Sequence, residues 1–517
     1  MCPLEHESAF FRLHRLEHRM SSGTNRAPLS EGTVMSYFSA AADLRRRWLA
    51  VLVLSAAQVM IVLDQNIVNV ALPAIRDDLG LSPGNLVWTV NAYVIPFGGL
   101  LLLAGRLGDL ISRKYVFLAG LALFSAASLW AGSADDQTGL LLARFVQGVG
   151  GAVTSAGLLG MVVTSLPEPR HRARAIGVFG FASAGGGALG TVVGGVLTDA
   201  LSWHWIFFIN VPIGVVVGVM AWRLLPVDRG VGVRAGADVV GAVLVTAGVV
   251  LGVYALINAE SQGWGSAVTL GGGAVSVVLL TGFALRQRFA TTPLVPTRVL
   301  RSRNVVGANL VQALMVGALF GFMFFTVLHL QQVLGFSPLI AGLAFLPAPA
   351  VIAVVSMTVA PRLMHRFGAR RTTLTGLPIL AAGFVMLAQV SPGLGYEVSV
   401  GPAMVVMAFG FGITMPSLMS LAMSDVAAED SGVTSGLFNT TQQVGGAVGL
   451  AVLSTLVGAR TEALRAEGVA EAAALAGGYR AAFWLGGGFV AVAWLIAGLL
   501  LRAAPAGRES RPVATPA

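Results

Sequence analysis

The sequence predicts an all-α polytopic membrane protein, and three observations lead to this fold class. Of the 517 residues, 56% are hydrophobic and 11% are charged, whereas a soluble globular chain carries about 25% charged residues. Apolar stretches of about 20 residues, the length that crosses the hydrocarbon core, recur from one end of the chain to the other. The 65 glycines suit close helix packing in lipid. A soluble enzyme of any fold is therefore excluded.

The apolar stretches predict fourteen membrane-spanning helices in three groups. The first six are predicted at 48–73, 86–107, 115–132, 138–162, 174–198 and 204–225. Two accessory spans follow at 238–258 and 266–286, and six more at 305–334, 340–362, 372–390, 399–423, 432–458 and 479–502. The predicted organisation is a disordered cytoplasmic tail, an N-terminal six-helix bundle, an accessory pair, a C-terminal six-helix bundle and a second cytoplasmic tail, at 1–47, 48–225, 238–286, 305–502 and 503–517.

The basic residues predict the orientation of these helices. Cytoplasmic loops of membrane proteins carry an excess of Lys and Arg. With the N-terminus inside, 28 of the 33 basic residues fall in inner segments, four fall in outer segments, and Arg144 falls within a span. Both termini are therefore predicted to be cytoplasmic, in a plasma membrane. The same short clusters account for the net charge of +9, so no nucleic-acid partner is expected.

An internal repeat relates the two groups of six spans. GRLGDLISRK begins at Gly105 and PRLMHRFGARR begins at Pro361, an offset of 256 residues, and the same offset carries the first span onto the ninth. The match rests on few identities. It predicts a parallel duplication of six helices with two helices inserted between the copies.

Two charged residues are predicted to lie deep in the membrane. Asp64 follows Trp48 by roughly 24 Å of helix, and Arg144 lies about 8 Å into its span from the other face, so their depths match. An intramembrane charge costs at least ~2.5 kcal/mol at a helix centre and marks a functional candidate. The two residues either couple protons to transport or orient two helices as a structural ion pair. The lone carboxylate favours coupling, because it suits a proton relay.

The inner loop that opens the repeat is a candidate for conformational control. Its small and charged residues form either a conformational latch or a loop that only fixes the topology. The residues concerned are Gly105, Gly108, Asp109, Arg113 and Lys114.

Glycines line one face of the fifth span. Gly186, Gly190 and Gly194 recur every four residues, and Gly195 lies beside them. Simple helix packing accounts for this spacing. A face without bulky side chains also suits two bundles that rock against each other.

Polar and aromatic residues within spans are further candidates. Asn439 and Gln442 either face a solvated cavity or bond across helices. Trp88 and Tyr93 open the second span, and His329 lies near the outer end of the ninth, where an interfacial aromatic belt is the default explanation.

Several kinds of chemistry have no motif in this sequence. It holds no His, Glu and Asp set with metal-ligand spacing, no phosphate-binding loop and no nucleophile beside a base. We therefore expect a protein that is not an enzyme and that has no cofactor, metal or nucleotide site.

The motifs, taken in order, resemble the major facilitator superfamily, and within it the fourteen-span drug:proton antiporter group (EmrB/QacA-like). The similar segments are LDQNIVNVALP at 63–73, WTVNAY at 88–93, GRLGDLISRK at 105–114, LLARFVQGVGGA at 141–152, GALGTVVGG at 187–195, WHWIFFINVPIG at 203–214 and SGLFNTTQQVGGAVGLA at 435–451. The chain departs from the family patterns at Leu110, where arginine is usual, at Ser112, where glycine is usual, and at Thr191, where proline is usual.

The resemblance implies the major facilitator fold and proton-coupled export of a lipophilic small molecule, a drug or antibiotic, by alternating access. It places Asp64 at the acidic position of the first span and associates Arg144 with proton coupling. The expected partners are the bilayer, protons and the substrate, and the protein is expected to be a monomer. The candidates for the substrate cavity are Asn69, Trp88, Asn91, Tyr93, Gln147, Asn439 and Gln442. Two alternatives stay open: a proton-coupled transporter of one dedicated metabolite, and a non-transporting membrane sensor or scaffold on the same fold.

Overall fold

A computed structural model describes residues 31–502 except 167, 229, 231, 233–237, 292, 296, 391, 392, 394, 425 and 427–430. Every regular element in this part of the chain is a helix. The chain divides into two units after Leu49, and residues 50–517 form the unit that concerns the fold below.

The first helix begins earlier than predicted. It starts at Glu31, so residues 31–47 are helical although they were predicted as part of a disordered tail. The reason is local, because this segment contains three Ala and three Arg, which are good helix formers, and no Gly or Pro interrupts the chain between 33 and 72. Residues 1–30 and 503–517, the rest of the two predicted tails, lie outside the described residues.

Six membrane-length helices make up the first bundle. Polar caps start some of them: Ser82 Oγ accepts the Asn85 amide at 3.3 Å and Asp136 Oδ1 accepts the Gly139 amide at 3.2 Å. The helices are α1 (Asp43–Leu79), α2 (Asn85–Leu110), α3 (Arg113–Gly132), α4 (Gln137–Ser165), α5 (Arg174–Ala200) and α6 (Trp205–Leu224).

The remaining helices form an accessory pair and a second bundle. Among the described residues thirteen helices are long and apolar enough to cross a membrane, and one of them, Pro338–Leu387, has 50 residues. Gly368 breaks it with φ 78° and ψ 157°, a conformation that glycine adopts without strain. The break yields two spans and a total of fourteen, as predicted. The helices are α7 (Val239–Ala259), α8 (Ala267–Phe289), α9 (Arg303–Val333), α10 (338–367), α11 (369–387), α12 (Val400–Met423), α13 (Val433–Ala466) and α14 (Glu471–Leu500).

Several helices extend past the predicted span ends. The sequence analysis ends α1 at 73, but the helix continues through Pro73 to Leu79. It ends α13 at 458 and begins α14 at 479, whereas the structure has Ala466 and Glu471. Hydropathy marks where the apolar stretch stops, and a helix continues into polar surroundings as long as its backbone hydrogen bonds are satisfied.

The accessory helix α7 lies along the seam between the two bundles. It packs against α2 of the first bundle and α13 of the second, and also against α8. Asp238 anchors the base of this pair, because its carboxylate accepts Gly241 N at 2.8 Å and Gln287 Nε2 at 3.0 Å and forms an ion pair with Arg286. The helix α8 leaves most of its apolar side chains exposed.

Candidate functional site

Asp64 on α1 and Arg144 on α4 form an ion pair inside the first bundle. Arg144 Nη1 lies 2.9 Å from Asp64 Oδ2, and the two side chains are 1% and 0% exposed. The match in depth that the sequence predicted is therefore present as a direct contact. Removing one partner of such a pair leaves the other charge buried without a counter-ion, which typically lowers the free energy of unfolding by ~3–5 kcal/mol.

Two amide side chains complete the surroundings of the carboxylate. Gln147 Nε2 donates to Asp64 Oδ1 at 2.8 Å, and Asn210 Nδ2 donates to the same oxygen at 2.7 Å. Gln147 follows Arg144 by one turn of α4, so both project from one face, and Arg144 Nη1 donates to Gln147 Oε1 at 2.6 Å. Asp64 thus accepts hydrogen bonds from three side chains on two helices.

Arg144 has further partners besides the carboxylate. Its Nε donates to the carbonyl of Thr89 at 3.1 Å. Its guanidinium carbon lies 4.4 Å from the ring centroid of Tyr93 and 5.6 Å from that of Phe207. Aromatic faces attract a guanidinium more strongly when both are desolvated. The cation therefore has polar and aromatic contacts besides the one with Asp64.

Sequence reasoning missed three members of this network. Asn210 and Phe207 belong to α6, and Ser128 Oγ on α3 accepts a hydrogen bond from Gln147 Nε2 at 2.8 Å. Asn210 lies in an otherwise apolar run, IFFINVPIG, and is fully buried. A lone polar residue inside a span was therefore the available signal.

The other substrate-cavity candidates do not come together in one place. Asn69 Nδ2 donates to the carbonyl of Gln65 in its own helix at 3.3 Å. Asn91 Nδ2 donates across the bundles to the carbonyl of Ala447 at 3.4 Å. Tyr93 and Gln147 belong to the Arg144 network.

Two candidates lie on α13 and one lies near α7. Gln442 Oε1 accepts Gln312 Nε2 of α9 at 3.4 Å, while Asn439 is exposed. Trp88 packs against Tyr254 of α7, with 6.4 Å between ring centroids. The proposed roles of all seven residues stay predictions.

His329 is not an interfacial side chain as the sequence analysis expected. It is 1% exposed, and its ring packs edge-on against Tyr479 with centroids 6.2 Å apart. The helix α9 continues past this residue as a π turn, His329–Val333, and His329 packs inside the second bundle.

Three glycines of α5 pack against α1 beside Asp64. A Cβ atom would lie 3.0 Å from the carbonyl oxygen of Val59 at Gly186, 2.8 Å from that of Leu63 at Gly190 and 2.7 Å from that of Ile67 at Gly194. At Gly190 and Gly194 a Cβ atom would come closer to the carbonyl oxygen than real side chains do, and at Gly186 the contact would be tight, so this face favours glycine. Close helix packing accounts for the three-glycine spacing.

Gly195 has a different neighbour. A Cβ atom there would lie 2.6 Å from the carbonyl oxygen of Pro338 at the start of α10, in the other bundle. Close to it, a Cβ atom at Gly342 of α10 would lie 2.4 Å from the carbonyl oxygen of Thr191. Gln331 Nε2 at the end of α9 donates to the carbonyl of Val70 at 2.8 Å. These contacts join the bundles on the side of the membrane opposite the termini.

The first half of α5 is free of the other bundle. A Cβ atom at Gly177 or Gly180 would meet nothing within 4 Å, and Phe181 is 80% exposed. By contrast, α2 and α13 contact each other from the middle of α2 toward the side that carries the termini, since Gly98 lies against Gln443 and Gly436 against Leu102. Along α5, the two bundles therefore separate toward the side that carries the termini.

The loop motif at 105–114 is anchored to the end of α6. Lys114 Nζ donates to the carbonyls of Trp222 and Leu225, each at 2.7 Å. At the position related by the 256-residue offset, Arg370 donates to the carbonyls of Leu501 and Gly498 at 2.7 and 2.8 Å. Each cation thus caps the C-terminal end of the sixth helix of its own bundle, where it meets the negative end of the helix dipole.

Asp228, after α6, caps α3 in return. Its carboxylate accepts Ser112 Oγ at 2.7 Å and the amides of Arg113 and Lys114 at 3.0 and 3.3 Å. Burial alone would raise the pKa of Asp228, but these hydrogen bonds outweigh it and hold the pKa below its usual value. Ser112, where the family pattern has glycine, thus has a defined partner. Asp109 instead pairs with Arg113 at 2.9 Å on the exposed surface.

Among the described residues, twelve spanning helices in two bundles, two accessory helices and a fully buried ion pair are features of a polytopic membrane protein of the transporter class. The sequence model of the Major Facilitator Superfamily matches residues 54–450. The chain belongs to this superfamily. Within the described residues, no group of three or more His, Cys, Asp or Glu side chains is placed to hold a metal ion.

Curated relatives match most of the chain. Puromycin resistance protein pur8 of Streptomyces alboniger is 38% identical over 84% of this chain and 86% of its own length. Cephamycin export protein CmcT of Amycolatopsis lactamdurans is 39% identical over 81% of this chain and 86% of its own length. A probable actinorhodin transporter of Streptomyces coelicolor is 36% identical over 80% and 72%.

Solved structures share the fold at low identity. An auto-inhibited POT family peptide transporter has a TM-score of 0.65 at 16% identity, covering 90% of this chain and 99% of its own. The POT family transporter PepTSo has a TM-score of 0.64 at 16% identity, covering 87% and 97%.

Proposed function

We propose that this chain exports a lipophilic small molecule of the antibiotic class in exchange for protons, by alternating access across the plasma membrane. It acts as a monomeric transporter and not as an enzyme, and both termini lie in the cytoplasm. The energy source is the proton gradient and not a cofactor or nucleotide. Membership in the superfamily and the resistance and export functions named for its relatives support export. The observation that supports proton coupling is the buried pair of Asp64 and Arg144.

Protonation of Asp64 changes the charge at the centre of the first bundle. In the ionised state the carboxylate and Arg144 neutralise each other, and Gln147 and Asn210 each donate a hydrogen bond to Asp64 Oδ1. A proton on Asp64 removes the ion pair and leaves a net positive charge on Arg144. The two charge states favour different helix arrangements, as a switch between two conformations requires.

In the proposed cycle, Asp64 takes up a proton in the outward-facing state and substrate leaves. The protein then changes to the inward-facing state, in which the proton leaves and substrate binds again. With both termini in the cytoplasm, the separation of the bundles along the first half of α5 corresponds to an inward-facing state. Substrate and proton therefore compete.

A narrow substrate range is a second candidate within transport. Several relatives carry the name of one compound: puromycin, cephamycin, actinorhodin, tetracenomycin C and methylenomycin A. These names favour a transporter dedicated to a single antibiotic over one with broad multidrug efflux.

Reconstitution tests the proposal. Growth of a sensitive host on the five named antibiotics first identifies the compounds against which the chain protects. Proteoliposomes are then loaded with a pH-sensitive dye and exposed to a protective compound. We expect substrate-dependent proton movement with the parent chain and none with Asp64→Asn.

The matched control is Asp43→Asn, which removes a carboxylate of the same helix that is 57% exposed and pairs with Arg47 one turn further on. It should retain proton movement. Proton movement that persists in Asp64→Asn would contradict the coupling proposal. Absence of protection and of flux with every compound would contradict export and favour a sensor or scaffold.

A further inference from the structure

A cavity lies at the end of the bundles opposite the termini, away from Asp64. Its volume is ≈ 540 Å³, within the range of small-molecule sites. Side chains from both bundles and from the accessory helix α7 line it, and Asp64 and Arg144 are not among them. The lining residues used below are Trp88, Tyr254, Phe325, Gln332, Thr461 and Tyr479.

We propose that this outer cavity is a second binding site for the exported molecule, and that it takes an aromatic compound that carries hydrogen-bonding groups. The identity of the ligand as cargo rests on the proposed export function. Its lining includes Arg76, Arg465 and Glu471, which lie at the ends of α1, α13 and α14 on this side, so the cavity is close to the surface from which an exported molecule would be released.

Aromatic side chains form two walls of the cavity. Trp88 and Tyr254 have ring centroids 6.4 Å apart at 50°. Phe325 and Tyr479 have centroids 5.8 Å apart at 32°. Rings at such separations offer faces and edges to a further ring, which gains more than the area it buries. The walls therefore favour a ligand with at least one aromatic ring.

Two residues that line the cavity each carry a buried polar atom without a hydrogen-bond partner among the described residues. Thr461 is 4% exposed and its Oγ1 makes no hydrogen bond. Gln332 Oε1 accepts the Tyr479 hydroxyl at 3.0 Å, while its Nε2 makes none. Burying an unsatisfied polar group is unfavourable. A ligand that accepts from Gln332 Nε2 and bonds Thr461 Oγ1 would satisfy both.

The charges around the cavity are balanced. Arg76 and Arg465 line it together with Glu462 and Glu471, and Arg465 forms an ion pair with Glu471. Two cations and two anions give the lining no net charge. The cavity therefore suits a neutral or singly charged molecule and not a multivalent ion.

The accessory helix α7 completes this site. Tyr254, Ile257 and Asn258 of α7 line the cavity, and Thr455 Oγ1 of α13 donates to the carbonyl of Leu256 at 3.0 Å. Because α7 also packs against α2, it covers the seam through which the cavity would otherwise face lipid. The inserted pair of helices thus contributes directly to ligand binding.

Thiol protection locates the ligand. Cys2 is the only cysteine, so Cys2→Ser gives a cysteine-free background. Single cysteines are then placed at Thr461, which lines the cavity, and at Trp264 as a control. Trp264 is 63% exposed in the turn after α7 and does not line the cavity. Millimolar puromycin, an aromatic nucleoside, should slow maleimide labelling of Thr461→Cys and leave Trp264→Cys unchanged. Equal labelling of Thr461→Cys with and without puromycin overturns the proposal, whether or not flux is observed.

Equilibrium binding of labelled puromycin to the purified full-length chain gives an independent measure. Thr461→Val keeps the shape of the side chain and removes the hydroxyl, and we expect it to weaken binding by ~3-fold to 10-fold. Tyr254→Leu should weaken it as well, and unchanged affinity in both variants would contradict the site. Protection without puromycin flux would keep the cavity and contradict export. Flux without protection would keep export and contradict the cavity.

Discussion

The contacts of Lys114 with the end of α6 predict that this side chain stabilises the folded protein and does not only fix the orientation of the helices. Lys114 is 7% exposed, donates to two backbone carbonyls at 2.7 Å, and lies 5.7 Å from the ring centroid of Trp222. A loop that only fixes the orientation of the helices requires a positive charge but no defined partner. Lys114→Met removes the charge and keeps much of the apolar stem, so it tests the partner.

The expected magnitude follows from these contacts. A hydrogen bond to a charged group contributes about 1.5–3 kcal/mol, and two bonds that share one ammonium do not add fully. A cation at a helix C-terminus contributes a further ~0.3–1 kcal/mol. We therefore expect Lys114→Met to lower the free energy of unfolding by about 2–4 kcal/mol.

Thermal unfolding of the purified protein in detergent measures this loss, with Arg113→Met as the matched control. Both substitutions remove one positive charge from the same loop, but Arg113 forms an exposed pair with Asp109, and such pairs contribute at most ~1 kcal/mol. Arg370→Met should behave like Lys114→Met, because Arg370 caps α14 in the same way. If Lys114→Met unfolds at the same temperature as Arg113→Met, the anchoring argument is refuted.

Two further predictions concern α5 and the cap on α3. Gly190→Ala should lower the unfolding temperature and the export rate, because overpacking typically costs about 1–3 kcal/mol. Gly180→Ala should lower neither, because its methyl group would meet open space. Equal effects of the two substitutions in thermal unfolding would contradict the packing of α5 against α1. Asp228→Asn should destabilise the protein by the same amount at every pH from 5 to 8. The pKa of the Asp228 carboxyl lies below its ordinary value of 3.8, so the carboxylate stabilises the fold at any pH above 3.8. This stabilisation is lost only as the pH falls through the lowered pKa. A difference between parent and Asp228→Asn that grows or shrinks across that range in pH-dependent thermal unfolding would contradict this assignment.

Hydropathy predicted the number and order of the helices, because crossing ~30 Å of hydrocarbon requires a long apolar stretch whatever the tertiary structure. It did not predict where helices end. Pro73 interrupts one backbone hydrogen bond without ending α1, and the polar ends of α13 and α14 remain helical. Those boundaries depend on local capping, which apolar content does not measure.

The candidate site was predicted in part. The depths of Asp64 and Arg144 follow from counting residues along two helices, but the participation of Asn210 depends on α6 lying beside both. The role of Lys114 was not predicted for a different reason. Its counterpart in the second bundle is an arginine, so the two halves share a cation at this position although the residue differs. Comparing identities along the 256-residue offset underestimates such a relation.

The arrangement around α5 connects the buried ion pair with the contact between the bundles. Gly190 fits against the backbone of Leu63, the residue next to Asp64, and Gly195, little more than one turn further along α5, fits against Pro338 of the other bundle. Neither contact leaves space for a methyl group, and packed helices at this separation move together because sliding would force backbone atoms into contact. A displacement of α1 at Asp64 must therefore displace α5 where it meets α10. The Asp64 carboxylate thus lies next to the element that closes one side of the protein, the position from which a change in its charge can act on that closure.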